Sequence, residues 1–278
     1  HVPDEVWDLI LGHLPTIQDL VAMSMVSPQL WVVATSHLTS ITTPVYTRQA
    51  RARTVWRHLP WGMDAGRMGC VRRMATGHSY GVILRVVVVG EWVATCGSDG
   101  RFKVWEQEGW TCVETVAAGQ GQLFAATECG GMLVTGGGNG SIKLWQQQGT
   151  WTCVRTLQGH TDDVRDLVVH GDWLLSGSYD NTVRVWDRTS WECLRVVQTG
   201  HTGGVYSLAV HDGKLYCGGG YDDPTIRVID TTTWASVGVM AGHTSIVWQL
   251  LVRDGKLFSC SLDKTIKTWS TGEGRACE

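Results

Sequence analysis

At 278 residues, with 43% hydrophobic and 18% charged side chains, the chain suits one large β domain plus a small appendage and is too apolar for intrinsic disorder. Its net charge of −3 gives no broad attraction to nucleic acid or anionic lipid. The longest apolar run, from Val82 to Val89, is interrupted by Arg85 and too short for a membrane span, and no Cys-x-x-Cys or histidine-rich spacing points to zinc or another cofactor.

Residues 2–38 read as three short helices without strand periodicity. Pro3, Asp4 and Glu5 make a favourable helix start, and Val6, Leu9, Ile10 and Leu14 fall on one apolar face. Thr16-Ile17-Gln18-Asp19 has capping-box form ahead of Leu20 and Val21, and Ser27-Pro28 opens a third helix before Leu30, Trp31 and Ala34. The line VPDEVWDLILGHLPTIQDLVAMSMVSPQLW resembles an F-box, a helical module that docks on the Skp adaptor of a cullin-based ubiquitin ligase. The resemblance implies adaptor contact through Pro3, Val6, Ile10, Leu11, Leu14, Leu20, Val26 and Leu30. The same apolar faces would also serve a packing cap on the following domain. Residues 39–67, with Arg48, Arg51, Arg53 and Arg57, read as a partly helical linker with a solvated basic face.

From residue 68 onward a unit of about forty residues recurs. Gly77-His78, Gly119-Gln120, Gly159-His160, Gly200-His201 and Gly242-His243 open successive units 42, 40, 41 and 42 residues apart. Trp105, Trp145, Trp186, Ile229 and Trp269 recur near their ends. In the third unit, Val164–Val169, Trp173–Ser176, Thr182–Trp186 and Trp191–Val197 read as strands, with turns at Gly171-Asp172 and Asp180-Asn181. This period, with Gly-His openings and Trp-Asp endings, resembles the WD-repeat family, whose repeats build a β-propeller. The expected fold is therefore mainly β: a propeller over residues 68–278 behind an F-box-like module at 1–38. Five blades are readable, and both a five-bladed ring and part of a seven-bladed one remain open. The last unit ends after its third strand, and the family's overlapping closure implies that Gly69–Met74 supplies the missing one.

Aligned polar sets recur as His78, Thr95, Asp99 and Trp105; His160, Ser176, Asp180 and Trp186; and His243, Ser259, Asp263 and Trp269. A histidine, a hydroxyl and an aspartate invite a hydrolase reading, but catalysis needs such a set once and a structural network needs it in every blade. The resemblance implies a buried structural tetrad, so no catalytic residue is expected. The second unit, with Gln120 and Asn139, and the fourth, with Cys217, Asp222-Asp223 and Ile229, are expected to lack the full network and to depend on apolar packing. Cys70, Cys112, Cys153 and Cys193 repeat at one blade position and read as small apolar core residues of a reducing compartment, cytoplasmic or nuclear.

Related propellers contact partners on one rim, which carries over to Arg165 and Tyr179, Tyr206 and Tyr221, and Trp248 and Leu262, with small residues such as Gly81, Ser98, Ala125 and Gly138 in the first two units. The resemblance implies a substrate receptor of a Skp/cullin/F-box ligase that holds a protein substrate on this rim; the alternative is a WD-repeat scaffold without a role in ubiquitination.

Overall fold

A computed structural model of the chain describes residues 75–78 and 81–271. The F-box-like helices, the linker and the closing strand at 69–74 lie outside the described residues.

Alternating apolar runs joined by tight turns give five antiparallel meanders, four of four strands and a last one of three. These blades span 83–117, 123–157, 164–198, 205–240 and 247–270. Blade three shows the pattern. Its inner strand Val164–His170 pairs with Trp173–Ser178, that with Thr182–Asp187, and that with the outer strand Cys193–Gln198. The second turn places Asn181 in the left-handed region at φ 68°, which its short polar side chain tolerates.

Trp110, Trp191 and Trp234 also have positive φ, at 56°, 61° and 59°. Each lies between the third and outer strands of its blade, a conformation costly for a bulky residue. The turn around Trp191 is held by Asp187, whose carboxylate accepts from the amides of Thr189 and Ser190 at 2.8 and 2.6 Å. Packing offsets the strain, because the indole of Trp191 wedges against the core between blades two and three, and Trp234 against that between blades three and four.

Each blade buries both faces against its neighbours. Val183 and Val185 join the core shared with blade four, while Trp186 belongs to the core shared with blade two. Four such cores join the five blades in succession, and no comparable core links blade five to blade one among the described residues.

The outer strands give these cores only Val116, Trp151, Leu157, Val197 and Met240, and that corrects one expectation. Cys112, Cys153 and Cys193 stand exposed on these strands rather than in the core. The buried thiols are Cys96, Cys129, Cys217 and Cys260, and every described cysteine is free. Among the described residues no helix is long and apolar enough to cross a membrane.

Candidate functional site at the blade axis

In blade three, the Trp186 indole N–H donates to Ser176 Oγ at 2.9 Å, Ser176 meets His160 Nε2 at 2.7 Å, and His160 Nδ1 meets Asp180 at 2.8 Å. Blade five repeats this with Trp269, Ser259, His243 and Asp263 at 2.8, 2.7 and 2.7 Å, and blade one with Trp105, Thr95, His78 and Asp99 at 3.0 Å for each step. The hydroxyl accepts from the indole, so its hydrogen points to Nε2, and the imidazole donates from Nδ1 to the carboxylate. Burial raises the Asp180 and Asp263 carboxyls, but the donors from their histidines and threonines outweigh it and hold both well below the usual range. Ser176 and Ser259 are sealed inside, so this serine–histidine–aspartate order has no access to a substrate.

Blade two corrects a second expectation. Its chain of hydrogen bonds continues through Gln120 in the histidine position and ends on Ser141 instead of on the Asn139 side chain. Trp145 donates to Thr135 Oγ1 at 2.8 Å, Thr135 donates to Gln120 Oε1 at 2.6 Å, and Gln120 Nε2 donates to the Ser141 carbonyl at 2.8 Å. One amide supplies both the acceptor and the donor that the ring would have supplied. In blade four, His201 keeps its aspartate partner, Asp223, at 2.9 Å, but its Nε2 donates to the Cys217 carbonyl at 3.0 Å, and Ile229 packs where the indole would lie.

The five inner strands share a further feature. Each carries a β-bulge at the same place, which leaves one residue out of the pairing: Leu84, Phe124, Arg165, Tyr206 and Trp248. A bulge turns its extra side chain away from the regular alternation, and these five line one pocket on the axis, together with Arg85. Its space is about 250 Å³, open solvent at the mouth included.

Arg165 is the pocket's centre of interactions. Its guanidinium lies 3.9 Å from the Phe124 ring centroid, 5.0 Å from Tyr206 and 5.6 Å from Tyr179, and an Nη donates to Asp163 at 2.6 Å. Tyr179 and Tyr206 meet edge to face at 5.8 Å, and Tyr206 and Trp248 lie 5.9 Å apart. Burial pushes the Tyr206 phenol up to about 12 and raises the Asp163 carboxyl against the pull of Arg165.

The structure thus brings Arg165, Tyr179, Tyr206 and Trp248 together. Tyr221, 72% exposed, and Leu262, 53% exposed, stand on turns outside the pocket lining. In the first two blades one of the small rim residues, Ala125, falls out of register. Ala125 faces the core, and the axial positions belong to Leu84 and Phe124. Counting one repeat back from Arg165, and then one more, reaches them.

Beneath the pocket, Arg85 crosses from blade one to blade three, donating to the Arg165 carbonyl at 3.1 Å and lying 3.6 Å from the Asp166 carboxylate. Asp166 also accepts from the Leu208 amide of blade four at 2.7 Å. Burial raises its carboxyl, opposed by Arg85 and by the amides of Leu208 and Leu167. Among the described residues no histidine, cysteine and carboxylate cluster suited to a metal occurs.

The family model for WD domain, G-beta repeat, matches residues 69–106, 151–187, 191–230 and 234–270, more than half of the chain. The matched stretches pass over most of the second unit, the one with Gln120. A chain of the structure described as "Crystal Structure of Mitotic Checkpoint Complex" is 24% identical, with a TM-score of 0.63 over 70% of this chain and 62% of that one. The computationally designed Ika8 protein is 26% identical, with a TM-score of 0.59 over 70% of this chain and 60% of its own. The chain therefore spans about 60% of the length of these two structures. No curated protein matches it.

Proposed function

The chain belongs to the WD-repeat family, and from that premise we propose that it is a docking platform, with no chemistry of its own, that holds a protein partner over the axial pocket. One observation carries this reading: five bulges aim five side chains at a single opening, where the frame does not need them. Around the opening stand exposed apolar and aromatic side chains, Val82, Tyr179, Tyr221 and Leu262, the kind of surface that marks protein interaction. Aromatic and arginine anchors dominate such interfaces. Trp248→Ala and Tyr206→Ala are each expected to weaken a partner captured by the wild-type chain by roughly tenfold or more, with little change in melting temperature. Unchanged affinity in both variants would rule this face out.

The apolar faces of residues 3–30 support a finer reading, in which the platform is the substrate receptor of a cullin-based ubiquitin ligase. Pro3, Val6, Ile10, Leu11, Leu14, Leu20, Val26 and Leu30 would hold the Skp adaptor while the axial face holds the substrate. That arrangement raises the substrate's local concentration at the transferring enzyme. A pull-down with purified adaptor tests it. The wild-type chain should bind and Ile10→Asp should not; failure of the wild-type chain to bind leaves the scaffold without the ligase.

A further inference from the structure

The lining of the axial pocket is chemically one-sided. Its charged groups are the guanidinium groups of Arg85 and Arg165, which only donate, beside the indole of Trp248, also a donor, and the phenol of Tyr206, which can donate or accept. The carboxylates that balance the two arginines, Asp166 and Asp163, are not part of the lining. Arg165 is also incompletely used. One Nη donates to Asp163, and the buried Nε finds no acceptor among the described residues. Stacking on Phe124 at 3.9 Å fixes the plane of the guanidinium, and a planar fork held in this way is pre-organised for a carboxylate.

The same geometry argues against other occupants. Aromatic walls with a neighbouring carboxylate would suit a cation, but here they already hold Arg165. A phosphate dianion calls for several uncommitted donors, whereas the second arginine is engaged by Asp166 and backbone carbonyls. The enclosed space holds little more than one water molecule, too little for a small-molecule ligand, so an occupant meets the guanidinium from the open mouth.

The geometry points to an acidic side chain of the protein partner, a glutamate or aspartate, inserted at the mouth with its carboxylate on Arg165. This rests on the docking reading above and names what that site selects. Asp163 then acts as an internal competitor, holding the guanidinium until a partner's carboxylate takes its place.

The test uses the full chain and ligand-observed NMR with millimolar N-acetyl dipeptide amides: glutamyl-phenylalanine, its glutamine isostere, and its lysine and phosphoserine analogues. The glutamate peptide should bind about tenfold tighter than the glutamine one. Arg165→Gln should erase that preference, and Asp163→Asn, which keeps the arginine in place, should increase it. Equal binding of the glutamine or lysine peptide, or tighter binding of the phosphoserine peptide, would overturn the assignment. So would a preference that survives Arg165→Gln or is unmoved by Asp163→Asn. The two readings fail differently. A glutamine peptide that binds and is lost in Trp248→Ala, without a glutamate preference, leaves the docking site standing and removes only its acidic selectivity. If no peptide binds, or binding ignores Trp248→Ala, both fall.

Discussion

Blades three and four start from the same Gly-His opening and treat the histidine in opposite ways. In blade three, His160 Nε2 accepts from Ser176, because the serine oxygen is already taken by the Trp186 indole. In blade four, serine and tryptophan give way to Cys217 and Ile229, and His201 Nε2 faces a backbone carbonyl instead. His201 therefore meets acceptors on both sides, the Cys217 carbonyl and Asp223. Two acceptors call for a proton on each nitrogen, while burial pushes the ring's pKa down, against the pull of these same partners. Arg227, 3.1 Å from Asp223, shares the load on the carboxylate. Changing the far end of a hydrogen-bond chain reverses the role of the ring in its middle.

The contrast can be broken most directly at the aspartates. Asp180→Ala removes the acceptor for His160, Thr161 and Thr182, and should cost about 3 kcal/mol. Asp223→Ala relieves the doubly accepting surroundings of His201 and should cost less, about 1–2 kcal/mol. Denaturant unfolding measures both, and equal losses would end the distinction. A second, smaller effect is expected with pH. Burial lowers the pKa of His201 and His243 below 6.5, so the unfolded chain takes up protons first as pH falls, and stability present above 6.5 declines below it. Asp180, Asp223 and Asp263, held below 3.8, add stability above that value and lose it as pH falls further. Replacing His201 by glutamine, on the precedent of Gln120, should flatten the first decline in thermal melts; an unchanged profile would exonerate blade four. Burial separates the thiols. Cys193→Ser on the exposed outer strand should stay within about 0.5 kcal/mol, whereas Cys217→Ser, deep between blades three and four, should cost about 1–2 kcal/mol.

Much of the frame can be read from residue order alone. The forty-residue step, the turns at Gly171-Asp172 and Asp180-Asn181, and the opposed faces of Val185 and Trp186 are local patterns. The axial site is harder to read because a bulge breaks the alternation from which faces are inferred. Phe124 and Ala125 exchange the roles a strict two-residue period would give them, and only the cross-strand pairing reveals the skipped residue. Gln120 looks like a lost histidine until its amide is seen bridging Thr135 and Ser141. The thiols of the outer strands, Cys112, Cys153 and Cys193, repeat at one blade position and are all exposed, which the repeat by itself does not reveal. Arg85 and Asp166 sit two blades apart with no local motif to connect them, so their meeting on the axis needs the assembled array.

The bulges separate two kinds of duty within a single strand. Val164 and Leu167 are committed to the core, while Arg165 between them answers only to the axis. A lineage could rewrite those five axial letters, exchanging one visitor for another, while the wheel that carries them kept its shape.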